Sequence, residues 1–236
     1  MREAGRIVAV AVRKAFDALE RGITTSELDD IARRAIESEG AKPSFLGLYG
    51  FPATACISIN EEIVHGIPGD RVVQSGDLVT LDCGAIVDGY NSDYAVTQIA
   101  GPSTSEKDDL LNTTRASLEM GIKAARPGNR VGDISNAVES QVLPKSYELV
   151  REYVGHGIGK ALHEPPQIPN FGPPGHGQEL RAGLVLAIEP MVNVGGWKTR
   201  MLDDGWTVVT EDGALSCHFE HTVAITEDGP VVLTVE

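Results

Sequence analysis

Asp82 and Asp93 stand eleven positions apart, on either side of Asp88-Gly89, a dipeptide of the type that gives the strongest two-residue hairpin turn signal. With Asp88-Gly89 as the turn, Val87 faces Tyr90, Ile86 faces Asn91, Ala85 faces Ser92 and Gly84 faces Asp93. Asp82 lies two residues from Gly84, so it shares a face with Asp93 as its diagonal cross-strand neighbour. Two carboxylates that close repel each other unless a proton or a cation lies between them, and a cation is the more useful reading. Two further acids sit where an unpaired charge is costly to bury. Glu189 ends the apolar run Val185-Leu186-Ala187-Ile188, and Glu220 lies between Phe219 and Thr222-Val223-Ala224-Ile225. Two histidines, His156 in Gly155-His-Gly-Ile-Gly159 and His163 seven positions later, fall in a Gly- and Pro-rich loop. Four carboxylates and one imidazole form a set of mostly hard oxygens, which suits a pair of divalent ions such as Mn, Fe, Co or Zn better than one closed structural zinc. Two such ions can hold a water between them, lower its pKa and polarise a carbonyl, so the chemistry expected is metal-assisted hydrolysis.

A solvated or salt-bridged edge strand accounts well for Asp88, Glu61, Glu62, Asp203 and Asp204. It does not account for Asp82, Glu189 or Glu220. A lone histidine between glycines is more often structural, but two of them beside four strand acids favour a site.

The elements that must position these side chains can be read from periodicity and breakers. Apolar residues recur at helical spacing over 4–19, with Gly22 ending the helix. The helix starts abruptly, as in a chain without a short lead-in. Thr25-Ser26-Glu27 begins a second helix that stops at Gly40. A Gly-, Phe- and Pro-rich stretch over 43–68 contains a strand at Ala55–Ile59. The hairpin occupies 77–100, and helices over 105–125 and 131–143 follow, closed by Pro127-Gly128 and Pro144. Helix, helix and strand hairpin thus occur twice, which points to an internal repeat. Leu78-Val-Thr-Leu-Asp82 matches Val185-Leu-Ala-Ile-Glu189 in pattern, and Asp93-Tyr-Ala-Val96 matches Glu220-His-Thr-Val223, so each half supplies one pair of acids. The class expected is α+β, as a single catalytic domain over 1–236 with two pseudo-symmetric halves, about 1–100 and 101–236.

Composition narrows the function classes. The chain has 236 residues and a net charge of -14, which argues against a surface for nucleic acid or an anionic membrane, since either needs clustered Lys and Arg. Cys56, Cys83 and Cys217 are far apart and lack Cys-x-x-Cys spacing, so neither a disulfide framework nor a thiolate zinc site is expected. Charges interrupt the first apolar run, and no signal peptide or anchor is expected. A reducing cytoplasm fits best.

Taken in order, Asp82, Asp93, His156 in Gly-His-Gly-Ile-Gly, Glu189 in Ile-Glu-Pro-Met and Glu220 in Phe-Glu-His-Thr resemble the five metal ligands of methionine aminopeptidase. Ser58-Ile-Asn-Glu61 followed by His65-Gly-Ile-Pro68 is similar to that family's substrate-histidine segment. The resemblance covers nearly the whole chain. Only about 26 residues separate His163 from Glu189, too few for the inserted helical domain of the type II enzymes, so type I is implied. It also implies the pita-bread fold, a pseudo-twofold antiparallel sheet with helices packed on its outer face, and a cofactor of two divalent metal ions (Co, Mn, Fe or Zn). Carried over, the roles are Asp82 on one metal, His156 on the other, Asp93 and Glu220 bridging, and Glu189 both holding a metal and taking a proton from water. His163 contacts the scissile amide and His65 the neighbouring substrate backbone. Phe45, Phe51, Cys56 and Trp206 fall where the family lines its methionine pocket. Leu48 and Phe51 stand where tyrosines are frequent, and Leu162 where an aromatic is frequent, departures that bear on fine specificity. The implied partners are N-terminal Met peptides and nascent chains at the ribosome, acted on by a monomer. Two rivals remain open at this point: a Pro-specific peptidase of the same fold, and a non-catalytic binding module on it.

Overall fold

The computed structural model describes residues 1–236. Helices α1 (Arg2–Asp17) and α2 (Thr25–Ser38) lead into β1 (Lys42–Pro43), β2 (Ala55–Ile59) and β3 (Glu62–Val64). The long hairpin of β4 (Leu78–Val87) and β5 (Tyr90–Ile99) follows. Helices α3 (Ser105–Ala124) and α4 (Val131–Val142) open the second half, leading into β6 (Glu148–Leu149), β7 (Gly155–Gly157) and β8 (Glu164–Ile168). The chain then runs through β9 (Val185–Ile188), β10 (Met191–Asn193), β11 (Thr199–Met201) and β12 (Val208–Thr210). It closes with β13 (Ser216–His218), β14 (His221–Thr226) and β15 (Gly229–Val232).

Local chemistry explains the starts and stops. Thr24 accepts from the Glu27 amide while Glu27 Oε2 accepts from the Thr24 amide, a reciprocal cap that sets the first turn of α2. The β4–β5 hairpin turns through Asp88 at φ 50° and Gly89 at φ 77°, the left-handed pair that an Asp-Gly turn supplies. Its register is the counted one, from Val87 opposite Tyr90 to Gly84 opposite Asp93.

Strand alternation decides which face holds what. Val79, Leu81, Cys83 and Ala85 of β4 point outward and pack with Ile7, Val8, Leu28 and Ile36 of α1 and α2. Leu186 and Ile188 of β9 and Val223 and Ile225 of β14 do the same against Leu110, Ile134 and Val138 of α3 and α4. Each fully buried Leu or Ile contributes roughly 1.5–3 kcal/mol, which fixes the helices to the outer faces. The opposite face of each hairpin turns inward with Thr80, Asp82 and Gly84 on β4 and Asp93, Ala95 and Thr97 on β5. Small and polar residues there let the two halves approach back to back.

The halves are joined along that inner face. Thr97 Oγ1 accepts from the His218 amide at 3.1 Å and donates to the His218 carbonyl at 2.6 Å. The Glu220 amide donates to the Ala95 carbonyl at 2.9 Å. The strands form four separately hydrogen-bonded antiparallel sheets rather than one continuous ladder. No helix is long and apolar enough to cross a membrane.

Gly5 in α1 marks how tightly the ends of the chain pack. A Cβ there would run into the Leu233 carbonyl just beyond β15. Gly→Ala inside a helix ordinarily stabilises by up to about 1 kcal/mol. Gly5→Ala should instead destabilise by about 1–3 kcal/mol, the usual cost of overpacking, seen as a lower thermal midpoint.

Candidate active site

The inner faces of the two hairpins enclose a cavity of about 640 Å³. All eleven side chains singled out in the sequence line it: Asp82, Asp93, His156, Glu189, Glu220, His65, His163, Phe45, Phe51, Cys56 and Trp206. The carboxylates arrive from both halves by the same device. In the first half Gly84 pairs with Asp93 and Asp82 with Ala95, so the acids are diagonal neighbours. In the second half the ladder ends at Ile188 opposite His221, which leaves Glu189 and Glu220 next in line and facing each other. The offset differs by two residues. A shift of two preserves the side on which every residue points, so both pairs remain on the inner face.

His156 is not in a loop. It lies on β7, an interior strand of a five-stranded sheet, paired with both β9 and β8. The flanking glycines explain the misreading. A Cβ on Gly155 would strike the Ala187 carbonyl, and one on Gly157 the Pro165 carbonyl, so these glycines permit close strand approach rather than loop freedom. His156 Nδ1 lies 2.8 Å from the Gly157 carbonyl and donates to it, which fixes the tautomer and leaves Nε2 as a bare lone pair. That Nε2 is 3.6 Å from Glu189 Oε1 and 3.9 Å from Asp93 Oδ2. Potential ligand atoms of Asp93, His156 and Glu220 all lie within 4.8 Å of one another.

Thr222 and Asn91 hold this arrangement, and neither stood out in the sequence. Thr222 Oγ1 accepts from the Asp93 amide and donates to the Asp93 carbonyl, both at 2.8 Å, pinning the first half's acid from the second half's strand. Asn91 donates from its amide to the Gly159 carbonyl at 2.8 Å and from Nδ2 to the Lys160 carbonyl at 3.0 Å, tying the hairpin to the segment between His156 and His163. Tyr49, Tyr153 and Gln167 also line the cavity and were missed. Tyr153, three residues before His156, packs edge-on to His65 with centroids 5.6 Å apart; Glu-Tyr-Val carries no periodicity or turn signal to mark it.

The electrostatics are those of carboxylates crowded out of water. Burial pushes Asp82 well above the usual carboxylate range, and the charges of Asp93 and Glu189 push it further. Burial raises Asp93 to about 7. Glu189 and Glu220 are raised well above their ordinary value by burial first and then by neighbouring acids. Asp82 Oδ1 and Glu220 Oε1 are buried without any hydrogen-bond partner. Unsatisfied lone pairs on clustered carboxylates, beside a histidine whose bare nitrogen points at them, are what a divalent cation satisfies, so these residues fit the metal that the donor set calls for. His65 and His156 are lowered to about 4, chiefly by burial, and His163 is lowered for the same reason, so all three rings are neutral near pH 7.

These shifts set the sign of the pH dependence. An acid whose folded pKa is raised holds a proton that the unfolded chain has released, so its contribution is present below the unfolded pKa and is lost as pH rises through the folded one. Buried neutral histidines act in the opposite sense, but only below their unfolded pKa of about 6.5. Above that pH the acids act alone. Metal-free protein should therefore lose thermal stability as pH rises from about 6.5 through about 7, the part of the Asp93 window that the histidines do not oppose. Saturating Mn²⁺ or Co²⁺ should remove that loss, as scanning calorimetry at several pH values would show.

Comparison with known proteins agrees with this geometry. Over 235 residues the chain is 49% identical to methionine aminopeptidase of Clostridium perfringens, covering 100% of this chain and 94% of that one. It is 50% identical over 234 residues to methionine aminopeptidase 1 of Bacillus subtilis, covering 99% and 94%. The crystal structure of methionine aminopeptidase from Thermotoga maritima superposes with a TM-score of 0.98 at 43% identity, covering 100% of this chain and 95% of that one. Residues 1–227 match metallopeptidase family M24. The buried donor cluster, the paired hairpins and the near-complete match together make this chain a member of metallopeptidase family M24.

Proposed function

We propose that this chain is a methionyl aminopeptidase, removing the first methionine from peptides and nascent proteins with divalent ions held by Asp82, Asp93, His156, Glu189 and Glu220. The observation that carries this reading is the cavity's division into two parts. The acids and His156 line one part; Phe45, Phe51, Cys56, Leu162 and Trp206 pack together as an apolar recess, which meets the acids where Cys56 pairs with Asp82. Soft aromatic and sulfur surface suits a thioether side chain. Phe51 and Trp206 meet edge-on with centroids 5.1 Å apart, giving that recess a firm wall.

When bound, the divalent ions supply Lewis acidity to the scissile carbonyl and the attacking water and anchor the substrate's free amino group. Asp93 and Glu220, one from each hairpin and both buried, would serve as the ligands shared by the ions, with Asp82 and His156 each holding one of them. Glu189 borders the cavity beside His156 and takes the proton released by the water. His163, whose ring packs edge-on to His156 at 4.5 Å, donates a hydrogen bond at the scissile amide. His65, held in the left-handed region at φ 61°, reaches the adjoining substrate backbone. As neutral imidazoles each can donate one bond and accept another. Anchoring the amino terminus among the acids limits cleavage to the first residue. A tight cavity favours a small second residue.

The same proposal makes the chain one catalytic domain of two halves, acting as a monomer on chains leaving the ribosome. Its three cysteines are free and buried, which supports a reducing cytoplasm. The Pro-specific alternative is not favoured, since relatives at 49–50% identity over nearly the full chain carry the methionine aminopeptidase name.

Purified protein with added Mn²⁺ or Co²⁺ should cleave Met-Ala-Ser in preference to Ala-Pro peptides; the reverse preference would overturn the reading. Asp93→Asn or Glu220→Gln should lower kcat/KM by about a hundredfold or more while the fold is kept. His163→Ala should lower kcat by a factor on the order of 100 with little change in KM, as loss of a donor to the transition state does.

A further inference from the structure

Tyr49 is placed where folding gives little reason for it. It sits in a tight turn over Leu48–Gly50 at φ 51° and ψ 16°, between Gly47 at φ 82° and Gly50 at φ 91°. Glycine takes that conformation freely, whereas a tyrosine is strained in it. The side chain gains little burial in return, since Tyr49 is 78% exposed. A bulky residue strained in the backbone and exposed in the side chain, at the edge of an active site, points to a role in function.

The ring's neighbours indicate that role. Tyr49 lines the mouth of the cavity, and its ring lies 12° from parallel to His163 with centroids 6.2 Å apart. His163 in turn packs against His156. Contacts therefore lead from the buried acids through His156 and His163 to Tyr49 at the solvent edge. With the amino terminus among the acids and the first side chain in the apolar recess, the peptide beyond the scissile bond leaves past His163 and then Tyr49. An extended chain advances about 3.3 Å per residue, so a step of 6.2 Å beyond His163 spans about two residues.

We propose that Tyr49 is a specificity-determining residue that reads the third residue of the substrate, its ring favouring an aromatic or apolar side chain there. This rests on the aminopeptidase reading above. A flat aromatic face held open to solvent by its backbone is pre-organised for such a contact, with little ordering left to do on binding.

The test compares Met-Ala-Trp with Met-Ala-Ser on metal-loaded protein. Tyr49→Gly and Tyr49→Asn remove the ring while suiting the left-handed backbone, and Tyr49→Phe keeps the ring. Wild type should prefer the Trp peptide. Tyr49→Gly and Tyr49→Asn should each reduce that preference about fivefold, through KM rather than kcat, and Tyr49→Phe should retain it. Thermal midpoints of the Gly and Asn variants should not fall. An unchanged preference in both variants would overturn the proposal. So would equal losses of kcat on both peptides, which would mean that the ring positions His163 instead. Failure of wild type to cleave either peptide would refute the aminopeptidase reading itself, an outcome distinct from both.

Discussion

Mutual repulsion among buried carboxylates is the constraint on which this structure depends. Asp82, Asp93, Glu189 and Glu220 are drawn from two hairpins into one cavity, where burial raises every one of their pKa values and neighbouring acids raise those of Asp82, Glu189 and Glu220 further. Such a cluster lowers stability unless protons or cations neutralise it. The rest of the fold opposes the tendency of these acids to separate. Outward-facing Leu, Ile and Val residues fix each hairpin to its helix pair, and the inner faces are left to polar contacts that cross between halves. Thr222 grips the backbone of Asp93 from both sides, and the Glu220 amide reaches the Ala95 carbonyl. Each half therefore holds the other's acid.

The same economy governs the approach of backbones around the cluster. Gly155 and Gly157 let β7 lie between β8 and β9 with no room for a side chain, and this brings His156 to the acids. Gly66 beside His65 is packed against the Ile57 carbonyl in the same way. Left-handed residues at Tyr49 and His65 aim rings into and across the cavity mouth. Close backbone approach thus recurs around the chemistry, as it also does in the outer helices at Gly5 and Gly132.

Much of this was legible in the sequence, for reasons that differ by element. The β4–β5 register could be counted because a two-residue Asp-Gly turn leaves only one pairing, and parity then placed Asp82 and Asp93 together. The second pair followed from the repeat, and the helices from their caps and 3.6-residue periodicity; α1 runs Arg2–Asp17 where the apolar pattern suggested 4–19. The order and motifs of the acids and His156 pointed to the fold and to the family that the comparisons then showed. The short strands were not legible. The β3 strand, Glu62–Val64, and β7 are three residues each and exist through their partners β12, β8 and β9, which no local pattern announces. Thr222 and Tyr49 escaped notice because their roles are set by groups 129 and 114 positions away, Asp93 and His163.

The central claim is that the carboxylate cluster exists to hold divalent cations between the two halves. Anomalous diffraction from crystals grown with Mn²⁺ tests it most directly. The account predicts peaks between Asp93 and Glu220, about 2.0–2.2 Å from their oxygens, one flanked by Asp82 and the other by His156. Absence of any peak there, with the four acids instead hydrogen-bonded to one another, would contradict it.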